Sequence, residues 1–459
     1  MSDPLSGKRV VILGLARQGL ALARWLCEIG ARVVISDTRS AEALADEMEA
    51  LKGLPITYAL GGHPEHILSG AELVCLSGGV PFDIPIVQEA VRREIRLSND
   101  AQLFMERCPC HVIGITGSAG KTTTTSLVGA MIDAAGMLAW VGGNIGNPLI
   151  SDLPYIKPDD VAVIELSSFQ LEIMTSSPHI AAVLNITPNH LDRHGTMQNY
   201  TNAKARILEN QLVSDVAVLN RDDPNSYGLL ERVQHEIALF SGRVPVDVGA
   251  WLVGERIVCR PAFSKPMEAV CAVAEVPLRG QHNVMNVLAA CAIAGAAGVP
   301  VEAMRKAVLG FQPVAHRLEV VREIDGVVFV NDSIATAPER VLAALDAYHD
   351  QRVVLLLGGR DKKLPWEDLM RRAVAQSRAI IAFGEAGSMI VARADEARLA
   401  GAYATPIEQA LTLEDALDIA NELALPGDVV LLSPGCTSFD QYRDFEARGE
   451  HFRALVARL

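Results

Sequence analysis

A short glycine-bearing loop after an apolar run constrains the fold of this chain more than any other feature. Residues 112–115 are apolar and lead into the segment 116–122, Thr-Gly-Ser-Ala-Gly-Lys-Thr. This order predicts a buried strand, a phosphate-binding loop and a helix, because loop amides and a helix dipole favour an anion there. The strict pattern G-x-x-x-x-G-K-[ST] needs glycine at 115, where Ile115 stands, so only the Gly-Lys-Thr core of 120–122 fits.

The residues of this loop predict how a nucleotide would be held. Lys121 would reach the terminal phosphates, and the hydroxyl of Thr122 would bind Mg²⁺. A plain strand–turn–helix joint is the alternative. The Lys-Thr pair directly after Gly120 favours a nucleotide phosphate site.

Length and composition predict several α/β domains. The 459 residues suggest three domains of roughly 150 residues each. Half of the residues are hydrophobic but only 5% are aromatic, which favours helices packed on parallel strands rich in Val and Ile. The net charge of -14 disfavours non-specific binding to nucleic acid or an anionic membrane.

The cysteines and the chain start predict a cytoplasmic protein with reduced thiols. Most of the eight cysteines have apolar neighbours in sequence, as small buried side chains do. Cys108 and Cys110 lack a second ligand pair at zinc spacing, so we expect no metal there. We see neither a signal peptide nor a run of about 18 apolar residues, and therefore expect no membrane span.

The order of elements predicts three domains. Residues 1–100 open with a strand over Arg9–Leu13, the loop 14–19 and a helix from Leu20 to Ile29. A second strand, from Arg32 to Ser36, ends at Asp37, as in a Rossmann-like fold. A strict G-x-G-x-x-G would need glycine at Ala16, so this loop alone does not identify a cofactor. Residues 101–312 form a central P-loop-type ATP-binding domain with a mostly parallel sheet and some antiparallel strands after Ser241. Residues 313–459 form a second Rossmann-like α/β domain.

Polar residues cluster where buried strands end, which is where ligands bind open parallel sheets. Glu165 closes an apolar strand and is either a salt-bridge or capping residue or a Mg²⁺ ligand beside the phosphate loop. Taken alone, His190 would be an ordinary loop histidine, and Lys204 would be a solvated lysine on a helix. Their shared placement favours a reaction centre.

Ten stretches, in order over the whole chain, resemble motifs of the Mur ligase family of ATP-dependent amide ligases. They are GITGSAGKTT (114–123), GGNIGNPL (142–149), IELSSFQLE (164–172), LNITPNHLDRHG (184–195), YTNAKARILEN (200–210), GQHNVMNVLAA (280–290), AHRLE (315–319), NDSIAT (331–336), LLLGGRDK (355–362) and LSPGCTSFDQYRDFEARGEHF (432–452). Two of these stretches contain ELSSFQLE and SFDQYRDFEARG, which resemble motifs of the branch of the family that adds D-glutamate.

The resemblance implies roles for individual residues. Lys121 would hold the ATP β- and γ-phosphates, Thr122 and Glu165 one Mg²⁺, and His190 a second Mg²⁺. Lys204 matches a lysine that is carbamylated in the family, a carboxylate-like group that can orient this metal. Further ATP contacts are implied for Gly117, Ser118, Ala119, Gly120, Thr123, Asn283, Asn286, Arg317 and Asp332. The uridine-nucleotide substrate is implied at Gly14, Asp37, Thr38, Arg39, Gly78 and Asn144, and glutamate at Thr336, Lys362, Ser438 and Phe445.

The resemblance also implies the reaction. The carboxylate of UDP-N-acetylmuramoyl-L-alanine would attack ATP to give an acyl phosphate, and the D-glutamate amine would then displace phosphate. This would make the chain a cytoplasmic, monomeric enzyme of peptidoglycan precursor synthesis with ATP and Mg²⁺.

Two departures from the family pattern keep alternatives open. The family usually has Thr-Asn at Ser118-Ala119, and often lysine at Ile334, close to the reacting carboxylates. Addition of L-glutamate, or another Mur or folylpolyglutamate-type ligase, is therefore an alternative. A non-enzymatic nucleotide switch would not need Glu165, His190 and Lys204 together, and an oxidoreductase would depend only on the degenerate N-terminal loop.

Overall fold

Three α/β sheets make up the computed structural model, which describes residues 3–144, 146–312 and 315–459. Most strand pairs are parallel, so the predicted α/β fold class is confirmed. By its internal contacts the chain divides into two compact units. One comprises Met1–Glu275 and Met285–Phe311, and the other Val276–Val284 and Gln312–Leu459. The three domain boundaries predicted from the sequence stay a prediction.

The first sheet is wholly parallel and has the order β3-β2-β1-β4-β5. Its strands are β1 (Arg9–Leu13), β2 (Arg32–Asp37), β3 (Ile56–Leu60), β4 (Leu73–Leu76) and β5 (Arg96–Ser98). Its helices are α1 (Arg17–Glu28), α2 (Ala45–Glu49), α3 (Pro85–Arg92) and α4 (Asp100–Met105). The strand interiors are continuously apolar because helices cover both faces of a parallel sheet.

The second sheet has nine strands in the order β14-β13-β12-β11-β10-β9-β6-β8-β7. They are β6 (His111–Thr116), β7 (Ala139–Gly143), β8 (Val161–Glu165), β9 (Ile180–Val183), β10 (Val216–Asn220), β11 (Glu236–Ser241), β12 (Gly249–Val253), β13 (Arg256–Arg260) and β14 (Glu268–Ala272). The pairs from β7 to the β11–β12 pair are parallel, whereas the β12–β13 and β13–β14 pairs are antiparallel. The antiparallel strands predicted after Ser241 are thus confirmed.

Helices of this region lie between and after those strands. They are α5 (Lys121–Ala134), α6 (Ser168–Leu171), α7 (Leu191–His194), α8 (Met197–Glu209), α9 (Pro224–Tyr227), α10 (Gln281–Ala296) and α11 (Val301–Leu309). Side-chain caps fix two of the starts that matter for the site. The hydroxyl of Thr196 accepts from the Asn199 amide at α8, and Ser167 forms a capping box with Gln170 at α6.

The third sheet has the order β15-β16-β20-β17-β18-β19, and only its β15–β16 pair is antiparallel. Its strands are β15 (Glu319–Ile324), β16 (Val327–Asn331), β17 (Val353–Gly358), β18 (Ser377–Phe383), β19 (Ile407–Gln409) and β20 (Val429–Gly435). Its helices are α12 (Pro338–Ala347), α13 (Glu367–Gln376), α14 (Gly387–Ala400), α15 (Leu413–Leu423) and α16 (Phe445–Val456). Two apolar cores, one on each face, cover the central strands.

Within the described residues, no helix combines the length and the apolar character needed to cross a lipid bilayer.

Candidate active site

The predicted phosphate loop lies between β6 and α5, at the carboxyl edge of the second sheet. Gly120 precedes the helix with φ of 82°, a conformation that side chains with a Cβ rarely adopt. A Cβ on Gly120 would lie 2.2 Å from Oδ1 of Asn286, so the loop packs tightly against α10. The Nζ of Lys121 donates to the carbonyl of Gly117 at 3.0 Å, which folds this lysine back over the loop. Loop amides and the α5 dipole therefore meet at one point, as an anion site requires.

Neighbouring residues hold the loop in this shape. The hydroxyl of Ser118 is bonded to the carbonyl of Thr187 and to the hydroxyl of Tyr200, each at 3.0 Å. The amide of Ala119 donates to Oδ1 of Asn185 at 2.8 Å. The side chains of Ser118 and Asn185 therefore shape the loop.

The hydroxyl of Thr123 on α5 is buried, as are those of Thr124 and Thr125. The Thr123 oxygen has no hydrogen-bond partner among the described residues. Its predicted contact with ATP stays a prediction.

A carboxylate and a hydroxyl meet beside the loop. The hydroxyl of Thr122 donates to Oε2 of Glu165 at 2.9 Å, and the amide of Asn144 donates to Oε1 at 3.4 Å. Glu165 is 2% exposed and ends β8, so the strand itself delivers a buried carboxylate to the loop. Such a carboxylate requires polar partners or a cation. Thr122 and Glu165 together offer the oxygen ligands that Mg²⁺ prefers.

Lys204 lies on α8 and is 1% exposed, although an isolated helix lysine is normally solvated. Its Nζ donates to the carbonyl of Gly117 at 2.9 Å and to the hydroxyl of Thr116 at 3.3 Å. It also lies 4.8 Å from the ring centre of Tyr200. Burial and the nearby charge of Lys121 lower the pKa of Lys204 well below its usual value, and Glu165 only partly opposes this. Burial therefore favours the neutral amine of Lys204 over its ammonium form.

His190 lies in the loop before α7 with φ of 53°, an unusual backbone conformation for a residue other than glycine. Its ring packs edge-on against Phe169, with 5.0 Å between ring centres. His194, one turn further along the chain, stacks on the ring of Phe169. Its Nε2 is hydrogen-bonded to the hydroxyl of Ser168 at 3.0 Å. The ELSSFQ stretch thus supplies both the carboxylate of Glu165 and the platform on which His190 rests.

The residues at this loop fit a magnesium nucleotide better than a protein-only metal site. Over residues 3–144, 146–312 and 315–459, no three His, Cys, Asp or Glu side chains come together as metal ligands. Mg²⁺ in nucleotide sites takes only one or two protein ligands and completes its shell with phosphates and water. Thr122 and Glu165 match that requirement.

A cavity of about 520 Å³ lies at the carboxyl edge of the first sheet. Gly14, Asp37, Thr38 and Arg39 line it, together with Ser77 and Gly79 from the neighbouring loop. Four of the residues predicted to bind the uridine nucleotide therefore share one cavity.

Asp37 organises this cavity. Its Oδ2 accepts from the amide of Leu15 at 2.8 Å and from the guanidinium of Arg39 at 3.0 Å. Burial disfavours the charged form, but the bonds from Arg39 and from two backbone amides outweigh it, so the pKa of Asp37 lies below its usual value. The carboxylate is therefore ionised at neutral pH and fixes the Gly14 loop.

Gly78 and Asn144 lie next to this region rather than along the cavity wall. The amide of Gly78 donates to the side chain of Gln18 at 3.0 Å. The carbonyl of Asn144 accepts from Arg17 at 3.2 Å, while the amide of Asn144 donates to the backbone of Glu165. Asn144 therefore connects the first sheet with the phosphate loop.

Asp332 follows β16 in the second unit and is 4% exposed. It accepts from the hydroxyl of Ser433 at 2.8 Å and from the amide of Leu318 at 3.2 Å. Burial raises the pKa of Asp332 to about 7, although those bonds and the charges of Arg317 and Arg340 oppose the rise. Asn283, in the same unit, donates to the carbonyl of Arg279 at 2.8 Å.

The four residues predicted to bind glutamate lie in loops or at a helix start of the second unit. The Nζ of Lys362 donates to the hydroxyl of Thr336 at 3.2 Å. Ser438 is buried and accepts, through its carbonyl, from the amide of Tyr442. Phe445 begins α16, and its carbonyl accepts a hydrogen bond from the hydroxyl of Ser333 at 2.8 Å. Their role in binding stays a prediction.

Sequence reasoning missed Tyr200, which contacts both the phosphate loop and Lys204. One signal was available, because Tyr200 and Lys204 are four residues apart on one helix and so share a face. The partner, Ser118, lies 82 residues away. No local pattern encodes a contact at that separation.

Comparison with family models matches three successive parts of the chain. Residues 8–98 match the MurD-like N-terminal domain of Mur ligases, residues 115–294 the Mur ligase middle domain, and residues 316–436 the glutamate ligase domain.

Full-length relatives and solved structures agree with those matches. UDP-N-acetylmuramoylalanine–D-glutamate ligase of Symbiobacterium thermophilum is 40% identical over 98% of both chains. The protein of the same name from Koribacter versatilis is 41% identical over 99% of this chain and 98% of its own. UDP-N-acetylmuramate-alanine ligase MurC of Thermotoga maritima shares the fold with a TM-score of 0.62 at 17% identity, covering 98% of this chain and 99% of its own. MurF ligase of Thermotoga maritima, solved in complex with ADP, does so with a TM-score of 0.60 at 18% identity over 100% of both chains.

Proposed function

The chain belongs to the Mur ligase family, and from that premise we propose that it joins D-glutamate to UDP-N-acetylmuramoyl-L-alanine. ATP supplies the energy, and the product is a precursor of peptidoglycan. The observation that carries the proposal is the full-length similarity, at about 40% identity, to relatives named for this reaction. The protein is an ATP-dependent acid–amino-acid ligase.

Lys121 and the N-terminus of α5 bind the phosphates of ATP in this proposal. The transferring phosphoryl group gathers negative charge, so fixed cations and amides aimed at it lower the barrier. The alanyl carboxylate attacks that group and gives an acyl phosphate and ADP. The amine of D-glutamate then attacks the acyl carbon, and phosphate leaves. Gly120 permits the close approach of backbone to phosphate, because a larger residue would meet Asn286.

Thr122 and Glu165 would hold one magnesium ion, with Asn144 orienting the Glu165 carboxylate. The ion, when bound, neutralises phosphate charge. His190 is the proposed ligand of a second ion. The contact between the His190 ring and the Phe169 ring supports this proposal, because it orients the imidazole.

Lys204 is the proposed carbamylation site. Burial lowers the pKa of this amine and so favours the neutral, nucleophilic form. The amine adds to carbon dioxide and loses a proton, which leaves a carbamate anion. Carbamylation of the neutral amine places an anion near the cation of Lys121, which is an attractive pairing.

The cavity around Asp37 is the proposed site of the uridine-nucleotide end. Asp37 and Arg39 present an acceptor and a donor side by side, and the Gly14 loop leaves backbone amides for a diphosphate. Asn144 is the proposed contact of the muramoyl part, and Gly78 of the nearby diphosphate. Thr336, Lys362, Ser438 and Phe445 are the proposed glutamate contacts, and Asn283, Asn286, Arg317 and Asp332 the remaining ATP contacts.

Phosphate release tests the proposal. The protein is incubated with ATP, Mg²⁺ and UDP-N-acetylmuramoyl-L-alanine, together with D-glutamate, L-glutamate or no amino acid. We expect release with D-glutamate only. Release with L-glutamate only would keep the ligase chemistry and overturn the specificity, a result that Ile334 would help to explain. Absence of release with both would point to another amide ligase of the family.

A cytoplasmic location and a monomeric state complete the proposal. Cell fractionation and light scattering of the purified chain test these two points.

A further inference from the structure

Arg448 is a fully buried arginine whose partners are all uncharged. It lies on α16 and is 0% exposed. Its Nε donates to the hydroxyl of Ser333 at 3.0 Å, and one terminal nitrogen donates to the Ser333 carbonyl at 2.9 Å. The terminal nitrogens also donate to the carbonyl of Cys436 at 3.3 Å and to that of Gly358 at 3.4 Å. One side chain therefore satisfies three separate pieces of backbone.

Those three pieces lie at the carboxyl ends of three adjacent strands. Ser333 follows β16, Gly358 ends β17 and Cys436 follows β20, and these strands are neighbours in the order β16-β20-β17. The planar guanidinium suits this task because its donors point in fixed directions. A lysine, with a single ammonium, could not span the same three acceptors.

The three loops that Arg448 holds carry the proposed glutamate contacts. Thr336 lies three residues after Ser333, Lys362 four residues after Gly358, and Ser438 two residues after Cys436. The loops also bond to each other, since the amides of Arg360 and Thr437 exchange hydrogen bonds at 2.9 and 3.0 Å. A shift of Arg448 would therefore move all three groups relative to one another.

The charge of Arg448 favours the same ligand class. Within the described residues no carboxylate forms an ion pair with it, so burial of this cation is costly. Burial lowers the pKa of Arg448 only to about 10, which leaves it protonated at neutral pH. Arg448 and Lys362 both act electrostatically on Cys436, and although Asp361 and Asp440 offset part of their charge, the two cations favour an amino acid with two carboxylates over a neutral one.

We propose that Arg448 is a positioning residue of the amino-acid pocket, which fixes the Thr336, Lys362 and Ser438 loops to receive a dicarboxylic amino acid. This inference rests on the proposed function, and it adds a residue that does not itself touch the substrate. Truncation of Arg448 is therefore expected to weaken use of glutamate while use of ATP and of the UDP substrate is kept.

Steady-state kinetics of Arg448→Lys and Arg448→Met test the inference. We expect the KM for D-glutamate to rise about 10- to 100-fold in Arg448→Met, because its charge-assisted hydrogen bonds no longer hold the three loops in place, with a smaller rise in Arg448→Lys. The KM values for ATP and the UDP substrate should change less than about twofold. Phe452→Leu is the matched control, because Phe452 is equally buried on α16 but faces the apolar core. It should lower the melting temperature without raising the KM for glutamate.

Two further readouts separate positioning from general destabilisation. Guanidinium ion at millimolar concentration should lower the KM for D-glutamate in Arg448→Ala. It should leave the KM for D-glutamate of Phe452→Leu unchanged. Hydrogen exchange should speed up in segments 333–336, 358–362 and 436–438 of Arg448→Met, whatever substrate the enzyme uses. An unchanged KM for glutamate in a folded variant, or an equal rise in all three KM values, would overturn the inference.

Failure of the inference is distinguishable from failure of the proposed function. Wild-type protein that releases no phosphate with D-glutamate would overturn the proposed function. If hydrogen exchange in the three loops is equally fast in Arg448→Met and in the wild type, the positioning role itself is overturned.

Discussion

Two buried ionisable side chains show how burial sets chemistry at the residue scale. Lys204 loses hydration on α8, and the nearby cation of Lys121 disfavours its charge further. Asp332 loses hydration after β16, and its bonds to Ser433 and Leu318 only partly restore the charged form. Both groups shift towards neutrality. For Lys204 this favours the neutral amine that the proposed carbamylation requires, and for Asp332 it gives stability a pH dependence.

Lys204→Ala should lower kcat by about 100-fold or more, a factor typical of losing one electrostatic group from an active site. Added short carboxylic acids should partly restore the rate, because they can occupy the place of the proposed carbamate. Lys265→Ala, at an exposed position, is the control. Rates are measured by phosphate release. Wild-type activity in Lys204→Ala, with no effect of added acids, would show that this lysine is only structural.

Asp332→Asn should gain stability relative to wild type as the pH rises from about 4 to about 7. The folded-state pKa of about 7 lies above the ordinary 3.8, so the contribution of Asp332 is complete below pH 4 and is lost as the pH rises through 7. The difference in melting temperature should move by about 2–4 °C for each kcal/mol gained. Asp418→Asn, exposed and on α15, should show no such trend. A pH-independent difference for Asp332→Asn would contradict the raised pKa.

The regular elements could be predicted from the sequence because their signals are local. The apolar runs predicted β1 at Arg9–Leu13, β8 ending at Glu165 and the helix that carries Lys204, and all three are confirmed. The helix after the first glycine loop was predicted from residue 20, whereas α1 begins at Arg17. The apolar pattern marks the buried face, while the start depends on backbone geometry after Gly14.

Contacts between elements were beyond the reach of sequence reasoning. Strand-end residues could be expected at one sheet edge, which is where Thr122 and Glu165 meet. The burial of Lys204 could not be predicted, because its acceptor, Gly117, lies 87 residues away in the sequence. The sequence of α8 is that of an ordinary polar helix. The same holds for Arg448, whose acceptors lie on three separate loops.

Gly120→Ala and Gly136→Ala test the phosphate loop at the element scale. These glycines flank α5 and have nearly equal φ angles of 82° and 83°. A Cβ at 136 meets nothing within 4 Å, whereas one at 120 lies 2.2 Å from Asn286. Gly136→Ala should cost about 1–2 kcal/mol of stability, as a left-handed backbone predicts, and keep the KM for ATP. Gly120→Ala should cost more and raise the KM for ATP at least about tenfold.

Thermal melts and ATP titrations of both variants provide the measurement. Equal KM values for ATP in Gly120→Ala and Gly136→Ala would contradict the placement of the phosphate site at this loop.

At the scale of the whole molecule, three α/β regions carry three kinds of site. The first sheet bears the cavity around Asp37, the second bears the phosphate loop, and the third bears the loops held by Arg448. The matched family models follow the same order along the chain. A ligase that must bind a nucleotide-linked acid, ATP and an amino acid has a use for each.

Oxygen-18 in the alanyl carboxylate of the UDP substrate should appear in the released phosphate. The carboxylate oxygen that attacks ATP becomes the bridging oxygen of the acyl phosphate and leaves with phosphate when the amine attacks. Mass spectrometry of the phosphate provides the measurement, with unlabelled substrate as control. Label in AMP instead would indicate adenylation and contradict the phosphoryl-transfer route.

The most direct test of the central claim is the identity of the amide product. The protein is given ATP, Mg²⁺, UDP-N-acetylmuramoyl-L-alanine and an equal mixture of D- and L-glutamate that carry different isotope labels. The account predicts a product that contains only the D-glutamate label, with one ADP and one phosphate formed per amide. Incorporation of the L label, or ADP formation without any amide, would contradict it.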